Sequence, residues 1–477
     1  MEDQVSSAGW QDLLERRWIP TLAILMSGVL LQSMNALLLT TVLPSIAAEL
    51  DGAALLSLPA SAYVGAAIVA ASSAGVLTAR LGVLTALCSG VSIFGLGALA
   101  CSVAPSMEWV IAGRIVQGLG GGLEVGAAYA AVRSFFPPAL WPRVIALLSA
   151  SWTLSVLVGP LIGGLFADAG HWRGAFITTM AASAVLVTTT MLVLPPTPPL
   201  ARGDGARVPT GRIGLICLAI ATMSSASLVL SVALKIGLVL LALATLTLML
   251  GIDRRSSTRL LPSDAFSLRT STGLGLWLAL LLSITFSPLH IYLPIFLQRL
   301  RGLAPLEAGL MVASGSLAWT IASIAVSGAA GPRQRRLLLA GPLLMAGGLA
   351  VLATLLASAA PTYALIPAVI ALGAGIGQSW PFVGPIIMNG AGPGDEAVAA
   401  SAVPTVQQTG FALGAALAGV VANASGFSPV MAEADFERAA FHIFACFIVA
   451  AGLAGLVSFE LMRRLSGRSA NPLKADM

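Results

Sequence analysis

Charged residues are scarce in this chain. Only 9% of its 477 residues are Asp, Glu, Lys or Arg, against roughly 25% in an ordinary soluble domain. With 57% apolar residues, the composition excludes an ordinary soluble protein and places the chain in a bilayer. The formal net charge of +5 does not indicate a nucleic-acid partner, because the basic residues lie in short connections between apolar segments.

Cysteine is also rare. Cys88, Cys101, Cys217 and Cys446 lie far apart within apolar segments, so neither a metal site nor a disulfide framework is expected. No Walker sequence is present, which excludes an ATP-driven motor within this chain. No catalytic triad, acid pair or metal-ligand set can be assembled from the few polar residues at membrane depth. We therefore expect a protein that is not an enzyme and uses no cofactor.

Long apolar runs are abundant instead. Prolines, glycines and charges separate them into segments that are mostly long enough to cross roughly 30 Å of hydrocarbon. The predicted spans are approximately 19–47, 54–78, 82–104, 109–132, 144–167, 174–195, 213–232, 236–252, 272–297, 306–328, 337–358, 362–389, 398–423 and 438–462. The sequence thus predicts an all-α polytopic membrane protein with 14 spans. Only Lys235 divides the seventh and eighth spans, so a single tilted helix is the alternative there.

The basic residues test this number of spans. With the amino terminus in the cytoplasm, most of the 25 basic residues fall in cytoplasmic connections. If residues 213–252 crossed only once, the basic clusters at 333–336 and 463–468 would face outward, against the positive-inside tendency. An even number of crossings is therefore favoured, with both termini in the cytoplasm.

Two linker-like segments divide the chain. Residues 196–212, rich in Pro, Gly and Arg, and residues 253–271 flank the seventh and eighth spans. We predict an amino-terminal six-helix bundle over 1–200, cytoplasmic linkers with two additional transmembrane helices over 201–270, and a carboxyl-terminal six-helix bundle with a cytoplasmic tail over 271–477. Two comparable halves around a central pathway are typical of secondary transporters.

One basic residue lies within a span. Arg114 is followed by Gln117, Gly118 and three more glycines at 120–122 in the fourth span. An ionised guanidinium in hydrocarbon costs about 2.5–3.5 kcal/mol on insertion scales, so Arg114 should face a protein interior and have a function. The glycines let neighbouring backbones approach closely.

These residues resemble the fourth-helix motif of the major facilitator superfamily, and within it the fourteen-span drug/proton antiporter group. The fifth span, with Gly159 and Pro160, is similar to that group's antiporter signature, and the connection around Arg80 resembles its loop motif. The resemblance implies the major facilitator fold, two six-helix bundles plus two extra central helices, and a role for Arg114 in proton coupling. The residues of the conformational motifs are Gly75, Arg80, Gly82, Gly118, Gly159, Pro160, Gly163 and Gly164.

Two motifs depart from the group's pattern. Ala79 stands where the loop motif usually has an acid, and Val83 and Leu84 stand where it has basic residues. The group's ionic latch on the cytoplasmic side is therefore not expected, and closure would depend on helix packing. In the first span, Asn35 stands where the group has Asp, and an amide cannot release a proton near neutral pH.

Glu124 is the replacement candidate for carrying protons, because it is the only acid well inside a predicted span. It could instead be a neutral, hydrogen-bonded residue or one that reaches water at the cytoplasmic end. Arg114 and Glu124 are about 15 Å apart along a helix and roughly 80° apart around it, so we do not expect them to pair. His290 in the ninth span is the second candidate for proton coupling, although a lone His is more often a packing residue.

Polar and aromatic residues in the spans are candidates for a substrate pathway. Each taken alone is more commonly an interhelical hydrogen bond or an interface aromatic. A cavity with apolar walls and a few polar anchors suits an amphipathic organic molecule. The candidates are Asn35, Gln117, Gln378, Trp380, Asn389 and Gln408.

The sequence therefore predicts a secondary active transporter in the bacterial cytoplasmic membrane. It would export small amphipathic organic compounds or drugs in exchange for protons, by alternating access. The expected partners are the small-molecule substrate, protons, the lipid bilayer and a periplasmic adaptor, with no nucleic acid. The alternatives are a facilitator-fold uniporter or importer without proton coupling, and a transport-like membrane sensor, which is less favoured.

Overall fold

The computed structural model describes residues 9–52, 55, 58–197, 210–229, 231–256, 259–358, 360–392, 394–425 and 433–470. Over these ranges the chain is helical and contains no strand, which confirms the predicted all-α class. Thirteen of the described helices are long and apolar enough to cross a membrane. The boundary predicted near residue 200 and the end of the predicted tail, residues 471–477, lie outside the described residues.

The first half of the chain forms a short helix and six long ones. They are α1 (Trp10–Leu13), α2 (Ile19–Glu49), α3 (Leu58–Leu81), α4 (Val83–Ser102), α5 (Met107–Phe135), α6 (Trp141–Asp168) and α7 (Trp172–Val193). Helices α3 and α4 are separated by Gly82, whose φ of 80° is a conformation that favours glycine and interrupts the helix. Helix α5 begins after Ser106, whose hydroxyl accepts a hydrogen bond from the Trp109 backbone N–H at 3.4 Å.

Two helices follow in the middle of the chain, α8 (Thr210–Leu228) and α9 (Val232–Arg254). They pack against each other, and Ser231 caps α9 by accepting from the Leu234 backbone N–H. The segment around Lys235 therefore forms two helices and not one tilted helix. Helix α8, with 19 residues, occupies the predicted seventh span but is not among the thirteen that meet the length and hydropathy of a membrane span.

The second half of the chain contains the remaining helices. They are α10 (Ser271–Ile291), α11 (Leu293–Arg301), α12 (Pro305–Val326), α13 (Gly331–Leu356), α14 (Ile366–Gly390), α15 (Glu396–Ala424) and α16 (Glu433–Ala470). A break at Tyr292, followed by Pro294 at the start of α11, divides the predicted ninth span into α10 and α11.

Helix packing divides the chain into an amino-terminal half, α2 to α7, and a carboxyl-terminal half, α10 to α16. In the first, α5 packs against α3 and α4, α2 along α6, and α4 along α7. In the second, α14 packs against α12 and α13, and α10 against α15 and α16. Between the halves, α15 contacts α3 and α5, while α6 contacts α12 and α14. This arrangement supports the proposal of two bundles.

Glycine allows the closest of these contacts. A Cβ at Gly120 would lie 2.6 Å from Gly90 O on α4, and a Cβ at Gly122 would lie 2.7 Å from the carbonyl carbon of Ala67 on α3. Both neighbours are backbone atoms that cannot rotate away. The glycine run after Arg114 therefore holds α5 tightly between α3 and α4.

The two ends of the bundle differ in charge. Arg80, Arg133 and Arg143 lie where α3, α5 and α6 begin or end at one side, which we call the basic face. Glu49 and Asp168 end α2 and α6 at the opposite face. Between the faces, large apolar side chains are exposed on the outer helices, as expected of an integral membrane protein whose solvent there is lipid.

A tightly bonded linker follows α9. The Asp253 carboxylate pairs with Arg212 of α8 and accepts the backbone N–H groups of Leu260 and Leu261, each at 3.0 Å. Asp395, just before α15, accepts from the Ser263 backbone N–H at 2.7 Å and lies 3.4 Å from the Arg259 guanidinium. The linker thus ties the α8–α9 pair to the start of α15.

Candidate functional site

Arg114 is enclosed by protein, with only 1% of its surface exposed. Its Nη1 donates to Gln117 Oε1 at 2.9 Å, and its guanidinium carbon lies 4.1 Å from the centre of the Tyr63 ring on α3. Gln117 Nε2 in turn donates to Asn35 Oδ1 on α2 at 3.4 Å. The structure therefore brings three predicted site residues together with Tyr63. We call these four residues the Arg114 cluster.

The Arg114 cluster is incompletely bonded. Within the described ranges no acidic side chain pairs with Arg114, and Arg114 Nε and Asn35 Nδ2 are buried without hydrogen-bond partners. A buried, unpaired charge is costly, and the Tyr63 ring offsets part of this cost, by about 2 kcal/mol for a desolvated contact. The cluster therefore holds two buried donors that can bind an incoming acceptor.

Glu124 lies further along α5 and is 3% exposed. Its carboxyl faces Gly28 on α2, where an added Cβ would overlap Oε1 and lie 2.9 Å from Cδ. Its backbone lies against Gly90 on α4, where an added Cβ would lie 2.7 Å from Glu124 N. Two glycines thus create the space that this side chain occupies between α2 and α4.

The Glu124 carboxyl has no basic partner among the described side chains, and Oε2 is buried without a hydrogen bond. Gln32 on α2 also has a buried, unpartnered oxygen, while its backbone carbonyl accepts from the Tyr63 hydroxyl at 3.4 Å. Tyr63 therefore contacts both Arg114 and the helix that covers Glu124. Arg114 and Glu124 form no ion pair, as their spacing predicted.

Gly159 and Gly163 of the fifth-span motif pack within the amino-terminal half. A Cβ at Gly159 would lie 2.8 Å from Met34 O, and a Cβ at Gly163 would lie 2.8 Å from Leu38 O, both on α2. Pro160 lies inside the continuous helix α6, and Gly164 has no neighbour within 4 Å of its Cβ position. Gly159 and Gly163 thus pack α6 on α2, and a role in movement between the halves stays a prediction.

The loop motif and Gly118 also lie at helix contacts. Gly118 packs α5 on α3, with its Cβ position 2.8 Å from Ala66 Cβ. Gly75 of α3 faces α15 of the other half, and its Cβ position lies 2.7 Å from Val398 Cα. Gly82 ends α3, and Arg80 has a buried, unpartnered Nη2.

The basic face also holds an ion pair that sequence reasoning missed. Arg133 Nη2 of α5 lies 3.9 Å from Glu396 Oε1 at the start of α15, and both side chains are about one-third exposed. Arg133 and Glu396 are 263 positions apart in the sequence (396 − 133), so no local motif could have indicated this ion pair. Among the described residues, the packing at Gly75 and this weak ion pair both connect the two halves at the basic face.

His290 belongs to a different part of the structure. It is exposed on α10, its Nε2 lies 3.4 Å from Ser316 Oγ on α12, and its ring packs edge-on against Phe286 at 5.0 Å. The Ser316 carbonyl accepts from Thr153 Oγ1 of α6 at 2.9 Å. His290 is thus one residue away from a hydrogen bond that joins the two halves, and it lies on the other half from Glu124.

Aromatic rings continue from His290 into the carboxyl-terminal half. Phe286 lies 5.2 Å from Trp319 of α12, and Trp319 lies 5.7 Å from Trp380 of α14, measured between ring centres. Trp319 Nε1 is buried without a partner. We call Thr153, Phe286, His290, Trp319 and Trp380 the Trp319 junction. Sequence reasoning selected His290 and Trp380 but missed Trp319, which resembles any other aromatic residue in an apolar run.

The remaining predicted pathway residues are dispersed. Gln378 is half-buried on α14, and Asn389 is exposed in the last turn of that helix at the basic face, away from the others. Gln408 is half-buried two turns beyond Ser401 on the face of α15 that meets α3, and its Nε2 has no partner. Asn35 and Gln117 lie in the Arg114 cluster. The structure therefore does not bring all six together.

Comparisons with known proteins agree with this architecture. The family model of the Major Facilitator Superfamily matches residues 25–415. A Mycobacterium tuberculosis protein named "Probable multidrug-efflux transporter" is 33% identical over 484 residues, which cover 97% of this chain and 99% of that protein. The methylenomycin A resistance protein of Streptomyces coelicolor is 27% identical over 404 residues, which cover 83% of this chain and 82% of that protein.

A solved structure shows the same fold. The human organic anion transporter MFSD10 matches with a TM-score of 0.68 and 16% identity, over 93% of this chain and 100% of that chain. At this identity the similarity concerns the fold alone. The match of the family model over most of the sequence and the full-length bacterial relative show that this chain belongs to the Major Facilitator Superfamily.

Proposed function

We propose that this integral membrane protein is a secondary active transporter that exports small amphipathic organic compounds in exchange for protons. Its membership of a transporter superfamily supports the class, and the names of its relatives, a multidrug-efflux transporter and an antibiotic resistance protein, support export of drugs. The single observation that supports protons as the coupling ion is the Glu124 carboxyl, buried within the membrane without a basic partner among the described residues.

Glu124 can hold a proton because its surroundings distinguish the two forms of the carboxyl. A neutral carboxylic acid is tolerated between α2 and α4, whereas a carboxylate there needs hydrogen-bond donors that the described side chains do not provide to Oε2. Release of the proton is therefore coupled to a movement that admits water or donors to this space. The unpartnered Arg114 Nε on α5 and Asn35 Nδ2 on α2 are donors of that kind.

The proton gradient supplies enough energy for export. Each charge that crosses 100 mV contributes about 2.3 kcal/mol. At 1.4 kcal/mol per factor of ten, one proton supports a concentration ratio of about 40 for an uncharged substrate. Exchange of one proton for one such molecule therefore supports export against a gradient of that size.

The proposed orientation places the basic face in the cytoplasm of a bacterium, with both termini on that side of the cytoplasmic membrane. The residues described at this face join the two halves through Gly75 and through Arg133 with Glu396. This arrangement corresponds to a transporter closed toward the cytoplasm. Protons and the lipid bilayer are the proposed partners, with a periplasmic adaptor at the opposite face.

Proteoliposomes that are acidic inside test the proposal. Uptake of a neutral dye, acridone, and of a cation, tetraphenylphosphonium, is compared for the unmodified chain and for Glu124→Gln. We expect the unmodified chain to accumulate at least one of them, and the variant to lose accumulation while retaining downhill exchange. The matched control is Glu108→Gln, because Glu108 is an exposed acid on the same helix. His290→Gln tests the second candidate in the same vesicles.

Each outcome identifies a different function. Undiminished proton-driven accumulation by Glu124→Gln removes Glu124 from the coupling step, and a selective loss in His290→Gln moves that step to His290. Transport by the unmodified chain that is indifferent to the pH gradient indicates an uncoupled uniporter or importer. If the unmodified chain moves no solute, the transport proposal is wrong and a membrane sensor becomes the better explanation.

A further inference from the structure

The indole N–H of Trp319 is buried without an acceptor among the described residues. Four other tryptophans donate to backbone carbonyls or a carboxylate at 2.7–3.0 Å: Trp109, Trp141, Trp172 and Trp277. Buried tryptophan N–H groups usually find a partner, and leaving one unpaired costs free energy. An acceptor that is not part of the described chain would satisfy Trp319.

Trp319 lies where the two halves meet. Ser316, Trp319, Thr320 and Ser323 are spaced to share one face of α12. Thr153 of α6, on the other half, lies 2.6 Å from Thr320 Oγ1 and also donates to Ser316 O. Ser316 is roughly 16 Å along α12 from the end opposite the basic face, which places this contact at about mid-depth.

The position of Trp319 is fixed by backbone packing. Gly377 of α14 lies so close to α12 that a Cβ there would be 3.0 Å from Trp319 Cα. Ser323 Oγ donates to the Gly377 carbonyl at 3.1 Å, which holds the two helices in register. The unpartnered N–H is therefore held in place before any ligand binds, and such preorganisation favours binding.

The walls of the junction are aromatic, and its described members carry no acid. Phe286 and Trp380 flank Trp319, and exposed His290 lies beside Phe286. Glu124, the acid deepest within the described spans, faces Gly28 inside the amino-terminal half and does not belong to this junction. Phe286 and Trp380 are at most 1% exposed, so a ligand reaches these rings only when the two halves separate at the junction. It then meets ring surfaces and hydrogen-bond donors, and no carboxylate among the junction's members that would pair with a permanent cation.

We propose that the Trp319 junction is the substrate site, and that Trp319 Nε1 selects planar aromatic compounds that present a hydrogen-bond acceptor, such as a ring carbonyl. This inference deepens the proposed transport function and depends on it. The aromatic rings pack against the planar substrate, Trp319 donates to its acceptor, and Thr153 from the opposite half places the substrate at the contact that changes when the halves move.

Comparison of the KM values for two transported probes tests the inference. Trp319→Phe keeps a ring and removes only the N–H, so KM for acridone, which has a ring carbonyl, should rise by about three- to tenfold. The KM for tetraphenylphosphonium, which has no acceptor, should change by less than twofold. Trp109→Phe is the matched control, because Trp109 is exposed at the opposite face and bonded to Ala100 O. Trp319→His, which restores a ring N–H, should recover part of the loss.

The competing outcomes are distinct. Equal changes of KM for both probes, or none for either, overturn the selection by Trp319 and leave the transport proposal intact. If Trp319→Phe lowers the thermal unfolding midpoint and changes kcat for both probes alike, Trp319 is a packing residue and the inference is wrong. Binding of acridone to purified protein, followed by its fluorescence, must show the same three- to tenfold loss without any transport step. Failure of the unmodified chain to transport either probe refutes the proposed function itself.

Discussion

Gly75→Ala should shift the protein away from the orientation that is closed at the basic face. The added Cβ would lie 2.7 Å from Val398 Cα, 2.5 Å from Ser401 Oγ and 3.0 Å from Ala397 O. Carbon atoms in contact normally lie about 3.5–4.0 Å apart. The Ser401 hydroxyl can rotate, but the Cα and the carbonyl belong to the backbone of α15. Helices α3 and α15 must therefore separate by about 1 Å at this point.

The added methyl group of Gly75→Ala costs free energy only in the orientation that is closed at the basic face. Overpacking of this kind costs about 1–3 kcal/mol. Because α3 and α15 belong to different halves, the cost applies when the basic face is closed and is relieved when it opens. A differential of 1–3 kcal/mol changes the ratio of the two orientations by about 5- to 150-fold.

Distance measurements between spin labels can detect this shift. Ala139→Cys and Arg333→Cys place labels at exposed positions on the basic face of each half. Exposed Cys217 and Cys446 are first replaced by Ser. We expect Gly75→Ala to increase the long-distance population severalfold.

The matched control for Gly75→Ala is a second Gly→Ala substitution at a position with open space. Gly164→Ala adds the same methyl group within α6, where no atom of the described residues lies within 4 Å of the Cβ position, so its distance distribution should match that of the unmodified chain. If Gly75→Ala is folded and its distribution is also unchanged, the close contact of α3 with α15 does not determine orientation.

Two further predictions concern the buried polar groups. Asn35→Asp supplies a carboxylate within the Arg114 cluster, so the thermal unfolding midpoint at neutral pH should rise. A lower midpoint would show that the Arg114 charge is already compensated. Gly28→Ala places a methyl group against the Glu124 carboxyl, so it should destabilise the protein by about 1–3 kcal/mol and reduce proton-driven accumulation, measured by thermal unfolding and vesicle uptake. Unchanged accumulation by a folded Gly28→Ala protein would contradict the proposed position of the proton.

The helical architecture could be predicted from the sequence because the requirement for about 20 apolar residues per span is local. The positive-inside tendency correctly favoured two helices around Lys235 over one. The break at Tyr292 was missed, because Pro294 lies in a continuous apolar run that meets the criteria for one span. The extents of the two predicted bundles remain a proposal, since the first boundary lies outside the described residues.

The candidate site could be predicted only where its residues share a helix. Arg114 and Gln117 are three positions apart on α5, so their hydrogen bond follows from helix periodicity. Tyr63 and Gly28 come from α3 and α2, and no spacing along the chain indicates that they cover Arg114 and Glu124. Such partners depend on how the helices pack, which the sequence pattern of one helix does not specify.

The linker bonded to Asp253 and Asp395 couples the movement of α8 and α9 to that of α15. Because the linker anchors α9 to the beginning of α15, we expect α8 and α9 to move together with the carboxyl-terminal half. Helix α3 of the opposite half also touches α8. A movement of the two halves relative to each other would therefore displace α3 along α8, so this contact must be remade in each orientation.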